Sequence, residues 1–66
     1  MNMGKGIKIA LLKKGVSQKA LSELLGVSNV YVNRICNQGS IGMESMKNVA
    51  DALEMKLSDL IALGEE

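Results

Sequence analysis

The 66-residue sequence has no histidine, no proline, no phenylalanine and no tryptophan, and it has a single cysteine, Cys36. Each absence closes off a class of function. One thiol and no imidazole leave neither a disulfide framework within one chain nor a structural zinc site. A histidine general base is excluded on the same ground, and no other two groups form an acid–base or nucleophile–base pair, so an enzyme is not expected. Tyr31, the lone aromatic residue, cannot provide the series of ring faces on which single-stranded bases stack. No apolar run approaches the ~20 residues of a membrane span. The apolar part of MNMGKGIKIALLKK is too short for a secretory signal. The expected setting is cytoplasmic, without membrane, metal, cofactor or small-molecule ligand. Cys36, with no activating neighbour in the sequence, reads as an inert, partly buried side chain. Linkers, repeats and low-complexity segments are also missing. The expectation is one domain over residues 1–66 with a small core and few kcal/mol to spare.

The net charge of +1 conceals an asymmetry. Residues 1–40 carry Lys5, Lys8, Lys13, Lys14, Lys19 and Arg34 against Glu23 alone. Residues 41–66 carry Lys47 and Lys56 against Glu44, Asp51, Glu54, Asp59, Glu65 and Glu66. A positive half suits a polyanion, and the negative half would face away from it. The plainer alternative is solubility.

The most informative stretch is SQKALSELLGVSNVYVNRIC, residues 17–36. Ser17 is placed to cap a helix whose apolar Leu21 and Leu25 share one face. Gly26 then supplies a left-handed residue just past the helix end. After Val27, Ser28 caps a second run with Val32 and Ile35 on its inner side. Two short helices joined this tightly must cross steeply, and Ser22 is small enough to let their backbones approach. That is the pattern of a helix-turn-helix.

The remaining periodicity predicts three more helices. The first spans 4–14, with Ile7, Ala10, Leu11 and Lys14 on the i, i+3, i+4, i+7 stripe and Gly15 closing it. Gly4 and Gly6 weaken its first turn by up to about 1 kcal/mol each, so its start is expected to fray. Ile9 and Leu12 lie off the stripe and either cover a neighbour or stay on the surface. The helices of the central motif are expected at 18–25 and 29–37, without capping boxes, because Ala20 and Tyr31 stand where Glu would reach back. Asn37-Gln38-Gly39-Ser40 reads as a helix end and loop, with Gly39 the turn residue and Ile41 an apolar plug. A fourth helix at 43–54 carries Met46, Val49, Ala50 and Leu53 inward. A fifth at 57–63 turns Leu57, Leu60 and Ile61 inward and places Asp59 in its first turn. Met46 and Met55 fit core positions, Met43 fits the surface, and Gly64-Glu65-Glu66 is tail. The fold class is all-α, a compact five-helix domain.

These residues resemble the lambda-repressor-like (Cro/CI, XRE-type) helix-turn-helix DNA-binding domains. The matching positions are Ser17-Gln18, Leu21-Ser22, Leu25-Gly26-Val27-Ser28, Val32, Ile35 and Gly39, then Met46, Val49-Ala50, Leu53 and Leu57-Ser58-Asp59-Leu60. The resemblance implies binding of double-stranded DNA. It implies that Gln18 binds phosphate and braces Asn29, and that Asn29 and Val30 of GVSNV contact bases. It also brings Tyr31 near the DNA backbone and lays Asn37, Gln38 and Ser40 along it. Leu11 and Cys36 replace an Arg and a Glu frequent in the family, so the ion pair those residues form is absent here.

The residues support part of this independently. A major groove admits one helix, and the outward positions at helical spacing are Asn29, Val30, Asn33 and Arg34. Asn can pair bidentately with adenine, Arg with guanine, and Val can touch a thymine methyl. Plainer roles stand beside these. Asn29 can support its own cap, Val30 can meet a protein partner, Arg34 can grip phosphate, and Tyr31 can be partly buried. Ser17 and Ser28 are caps first, worth about 1 kcal/mol each, and backbone contacts second. Lys8, Lys13, Lys14 and Lys19 are either phosphate contacts or solvated charges.

One such helix reads few base pairs, so a homodimer on an inverted-repeat operator is expected, with half-sites about one helical turn apart. The surface assigned to it is Ile41, Met43, Leu57, Ile61 and Leu63. The function expected is a transcriptional regulator of the Cro, repressor or restriction-controller kind, governed by its own concentration. One rival is a protein-interaction module, such as an antitoxin or a regulator's partner, without strong DNA binding. Another is a basic helix lying on anionic membranes, which is disfavoured because Ile7 and Leu11 are better used as core.

Overall fold

Five helices follow one another, with no strand among the described residues, 2–65 of a computed structural model. They are α1 (Met3–Lys14), α2 (Gln18–Leu25), α3 (Asn29–Cys36), α4 (Met43–Ala52) and α5 (Leu57–Leu63). Met1 lies outside the described residues, as does Glu66 of the acidic half and the expected tail. No helix among the described residues is long and apolar enough to cross a membrane.

The core is the sum of the inward stripes. Ile7 and Leu11 of α1, Leu21 of α2, Val32 and Ile35 of α3, Met46 and Val49 of α4, and Leu60 of α5 meet in one cluster. Cys36 belongs to it, and burial pushes its thiol pKa up, with nearby Lys8 opposing only in part. Leu11 and Cys36 are thus both apolar packing. α1 lies against α5 and α3, while α4 packs on α2 and α5.

Three helices end in the same arrangement. After α1 the Gly15 and Val16 N–H groups donate to Leu12 and Leu11, and after α2 those of Gly26 and Val27 donate to Glu23 and Ser22. After α4 the donors are Glu54 and Met55, to Asp51 and Ala50. This paired closure needs a left-handed residue at its first position. Gly15 and Gly26 adopt it at φ 68° and 69°, and Glu54 adopts it at φ 56° despite its Cβ. α4 therefore stops at Ala52, two residues short of the expected end.

The start of α1 is tied down. All four first-turn N–H groups are satisfied: Met3 donates to Gly39 O, Gly4 to Gln38 O, Lys5 to Asn2 Oδ1 and Gly6 to Asn2 O. The sulfur of Met3 also accepts from the Ile41 N–H. Gly4 and Gly6 are where they are because backbones touch there. A Cβ on Gly4 would press on the carbonyls of Gln38, Cys36 and Ile35, and one on Gly6 would press on Gly64 and Leu60. Gly64, expected in a tail, is buried and its carbonyl accepts from Asn2. α1 is thereby seated on the carboxyl end of α3, which fixes that helix from behind.

Candidate nucleic-acid interface

The central turn is built as its residues predict. Ser17 Oγ accepts from Ala20 N at 3.0 Å, and Ser28 Oγ accepts from Tyr31 N at 3.1 Å. Ser22 is buried at the crossing, its hydroxyl donating to Lys19 O at 2.6 Å. α3 ends at Cys36, one residue before the expected boundary.

With Val32, Ile35 and Cys36 turned into the core, helical geometry puts Val30 near the centre of the opposite face. Val30 is 79% exposed, which leaves an apolar side chain uncovered on that face. Asn29, Asn33 and Asn37 form a row at four-residue spacing on one side of it, and Arg34 lies on the other. All four are exposed.

Both borders of this face are held. On the α2 side, Asn33 Nδ2 donates to Gln18 Oε1 at 3.3 Å. Gln18 thus engages Asn33 and not Asn29, the partner the resemblance implied. Asn37 Nδ2 donates to Asn33 O at 2.8 Å, and Lys8 Nζ donates to Asn37 Oδ1 at 3.0 Å. Lys8 of α1 is joined in this way to the end of α3. On the α4 side, Tyr31 is half-buried, and its hydroxyl shares a hydrogen bond of 3.2 Å with Ser45 Oγ. Arg34 Cζ lies 5.2 Å from the Tyr31 ring centroid, in cation–π range.

Lys19 and Ser40 are exposed, and Gln38 is half-buried with its carbonyl committed to Gly4. Ser17 and Ser28 are exposed and occupied as caps. Of the residues assigned to a dimer surface, Ile41 is buried, 7% exposed, because the Met3–Gly39 pairing folds the loop inward over the core. That assignment is corrected: Ile41 is a plug and has no side chain to offer a partner. Leu57, Ile61 and Leu63 are half-buried against the core, and Met43 is 49% exposed. The sequence reading overlooked Ser45, whose only signal was a hydroxyl on the polar side of α4. It also overlooked an open groove of about 540 Å³ between α2, α3 and α4, with Leu24, Leu25 and Val27 on one side and Ser45, Asn48 and Asp51 on the other.

The family model described as a helix-turn-helix matches residues 7–60, from the first core residue of α1 to the last of α5. A comparison with curated proteins returned no match. The matched family is one of DNA-binding regulators and not of enzymes. With the two capped helices, the tight left-handed turn and the exposed α3 in place, the chain belongs to the XRE/lambda-repressor-like helix-turn-helix family of DNA-binding regulators.

Proposed function

We propose that the protein is a sequence-specific transcriptional regulator that places α3 in the major groove and binds an inverted-repeat operator as a homodimer. The observation that carries this reading is the outward face of α3. It presents an apolar Val30 flanked by the amides of Asn29 and Asn33 and by the guanidinium of Arg34. These side chains match a thymine methyl, adenine and guanine respectively. Gln18, Lys19, Asn37, Gln38 and Ser40, with the caps Ser17 and Ser28, border that face and contact the DNA backbone, while the Tyr31 hydroxyl beside them is taken up by Ser45. The N–H groups of the first turn of α2 add donors for phosphate. The dimer surface combines Met43 with the outer edges of Leu57, Ile61 and Leu63. Such a regulator works in the cytoplasm or on the nucleoid.

The test is selection of bound sites from a random duplex library at near-physiological salt, run in parallel for Asn29→Ala/Val30→Ala. A palindromic consensus that the double variant scrambles supports the proposal. No enrichment, and no duplex binding at low salt, would sink it. The second reading, a protein-interaction module, draws on the groove beside Leu24 and Val27, which are 60% and 38% exposed. It predicts no affinity for duplex DNA under either condition.

A further inference from the structure

Resting on the placement of α3 in the major groove, we infer that Ser45 of α4 is a specificity-determining positioning residue, acting on Arg34 through Tyr31. Ser45 and Tyr31 are fourteen residues apart in sequence and joined by their hydroxyls at 3.2 Å. Tyr31 is half-buried, packed on the core beneath α3. Its ring is therefore held at two points, by packing against the core and by the bond to α4 at its tip. α4 is itself anchored by fully buried Met46 next to Ser45. Arg34 follows Tyr31 by three residues, and its guanidinium lies 5.2 Å from the ring centroid. Arg34 has no carboxylate partner among the described residues, so the ring face is the one fixed group that guides it.

The consequence concerns preorganisation. An unguided Arg side chain samples many rotamers, and that freedom is lost when the guanidinium forks onto guanine O6 and N7. A guanidinium lying over an aromatic face keeps its in-plane N–H donors free while its plane is already set. Ser45 thus fixes the ring, and the ring fixes the direction in which Arg34 leaves α3. Loss of the Ser45 hydroxyl leaves every base-contacting atom in place but lets the platform rock.

The experiment is site selection from a random duplex library with the wild type, Ser45→Ala, Tyr31→Phe, Arg34→Ala and the Arg34→Ala/Ser45→Ala pair. Affinities for the selected duplex and its single-position variants follow. The wild type is expected to prefer guanine at one position of each half-site, and Arg34→Ala to lose that preference. Ser45→Ala and Tyr31→Phe are each expected to weaken it about two- to fivefold while leaving the preferences at the Asn29 and Val30 positions intact. In the Arg34→Ala background, removal of the Ser45 hydroxyl is expected to change nothing further. An unchanged guanine preference in both single variants overturns the inference. So does an equal loss at all positions, or an equal loss with and without Arg34, since either marks a merely structural role. A wild type that enriches a site lacking that guanine defeats this inference alone, whereas a wild type that enriches nothing defeats the proposed function with it.

Discussion

Gly4→Ala sets two physical effects of opposite sign against each other, and the structure says which is larger. Helix propensity favours the change: in an exposed helix interior, Ala is better than Gly by about 1 kcal/mol. Packing opposes it. A Cβ at residue 4 would lie 2.6 Å from the Cys36 carbonyl oxygen and 2.7 Å from that of Ile35, with the Gln38 oxygen also in contact. These are roughly 0.7 Å inside ordinary carbon–oxygen contact, and all three atoms are backbone, which cannot swing aside. α1 must retreat, stretching Gly4 N to Gln38 O from 2.9 Å and Met3 N to Gly39 O from 3.0 Å. Overpacking costs about 1–3 kcal/mol, and the two weakened hydrogen bonds about 1 kcal/mol each. After subtracting the propensity gain, the expected net loss is about 2–4 kcal/mol, comparable to the whole stability of so small a core. Urea and thermal melts followed by helical circular dichroism measure it. Gly39→Ala is the control, because nothing stands within 4 Å of its Cβ and its φ is not positive. It should change stability by less than about 0.5 kcal/mol. A Gly4→Ala protein that melts at or above the parent would refute the packing argument.

Other outcomes follow from the same geometry. Glu54→Gly should raise stability by about 0.5–1 kcal/mol, since left-handed Glu54 costs about 1–2 kcal/mol and glycine's unfolded-state entropy returns only part; denaturant midpoints decide the sign. Ser28→Ala should cost about 1 kcal/mol by removing the bond to Tyr31 N, read in the same melts. Cys36 has a raised folded-state pKa from burial, so its contribution is full below the ordinary thiol value of about 8.5 and is lost as pH rises through the folded value. The urea midpoint should therefore fall in alkaline buffer more steeply for the wild type than for Cys36→Ala, and a thiol reagent should label the folded protein slowly.

Local chemistry was legible wherever one residue decided the structure. Ser17, Ser28, Gly15 and Gly26 announce their caps, and the stripe of α4 names its buried residues, whereas of the α2 and α5 stripes Leu21 and Leu60 are buried and Leu25, Leu57 and Ile61 half-buried. What escaped the sequence depended on distant partners. Gly4 and Gly6 look like helix weaknesses until the carbonyls of α3 and the backbone of α5 are seen beside them. The end of α4 was overestimated because Glu54 takes a conformation that nothing in its identity signals. Ile41 was given two roles, plug and partner contact, and only its tie to Met3 separates them. On the outward face of α3 the exposed residues follow directly from the buried ones. The links from Asn33 to Gln18 and from Tyr31 to Ser45 depend on how three helices cross.

The central claim is that the outward residues of α3 read base sequence, and a salt-resolved binding titration tests it most directly. Wild type and Asn29→Ala/Val30→Ala are each titrated onto the selected duplex and onto a scrambled duplex of equal length. The account predicts a loss of at least tenfold for the variant on the selected duplex, as each lost base contact is worth about 1–3 kcal/mol. It predicts no change on the scrambled duplex and the same salt slope on both, because the phosphate contacts are untouched. Equal loss on both duplexes, or wild-type binding that does not distinguish them, would contradict it.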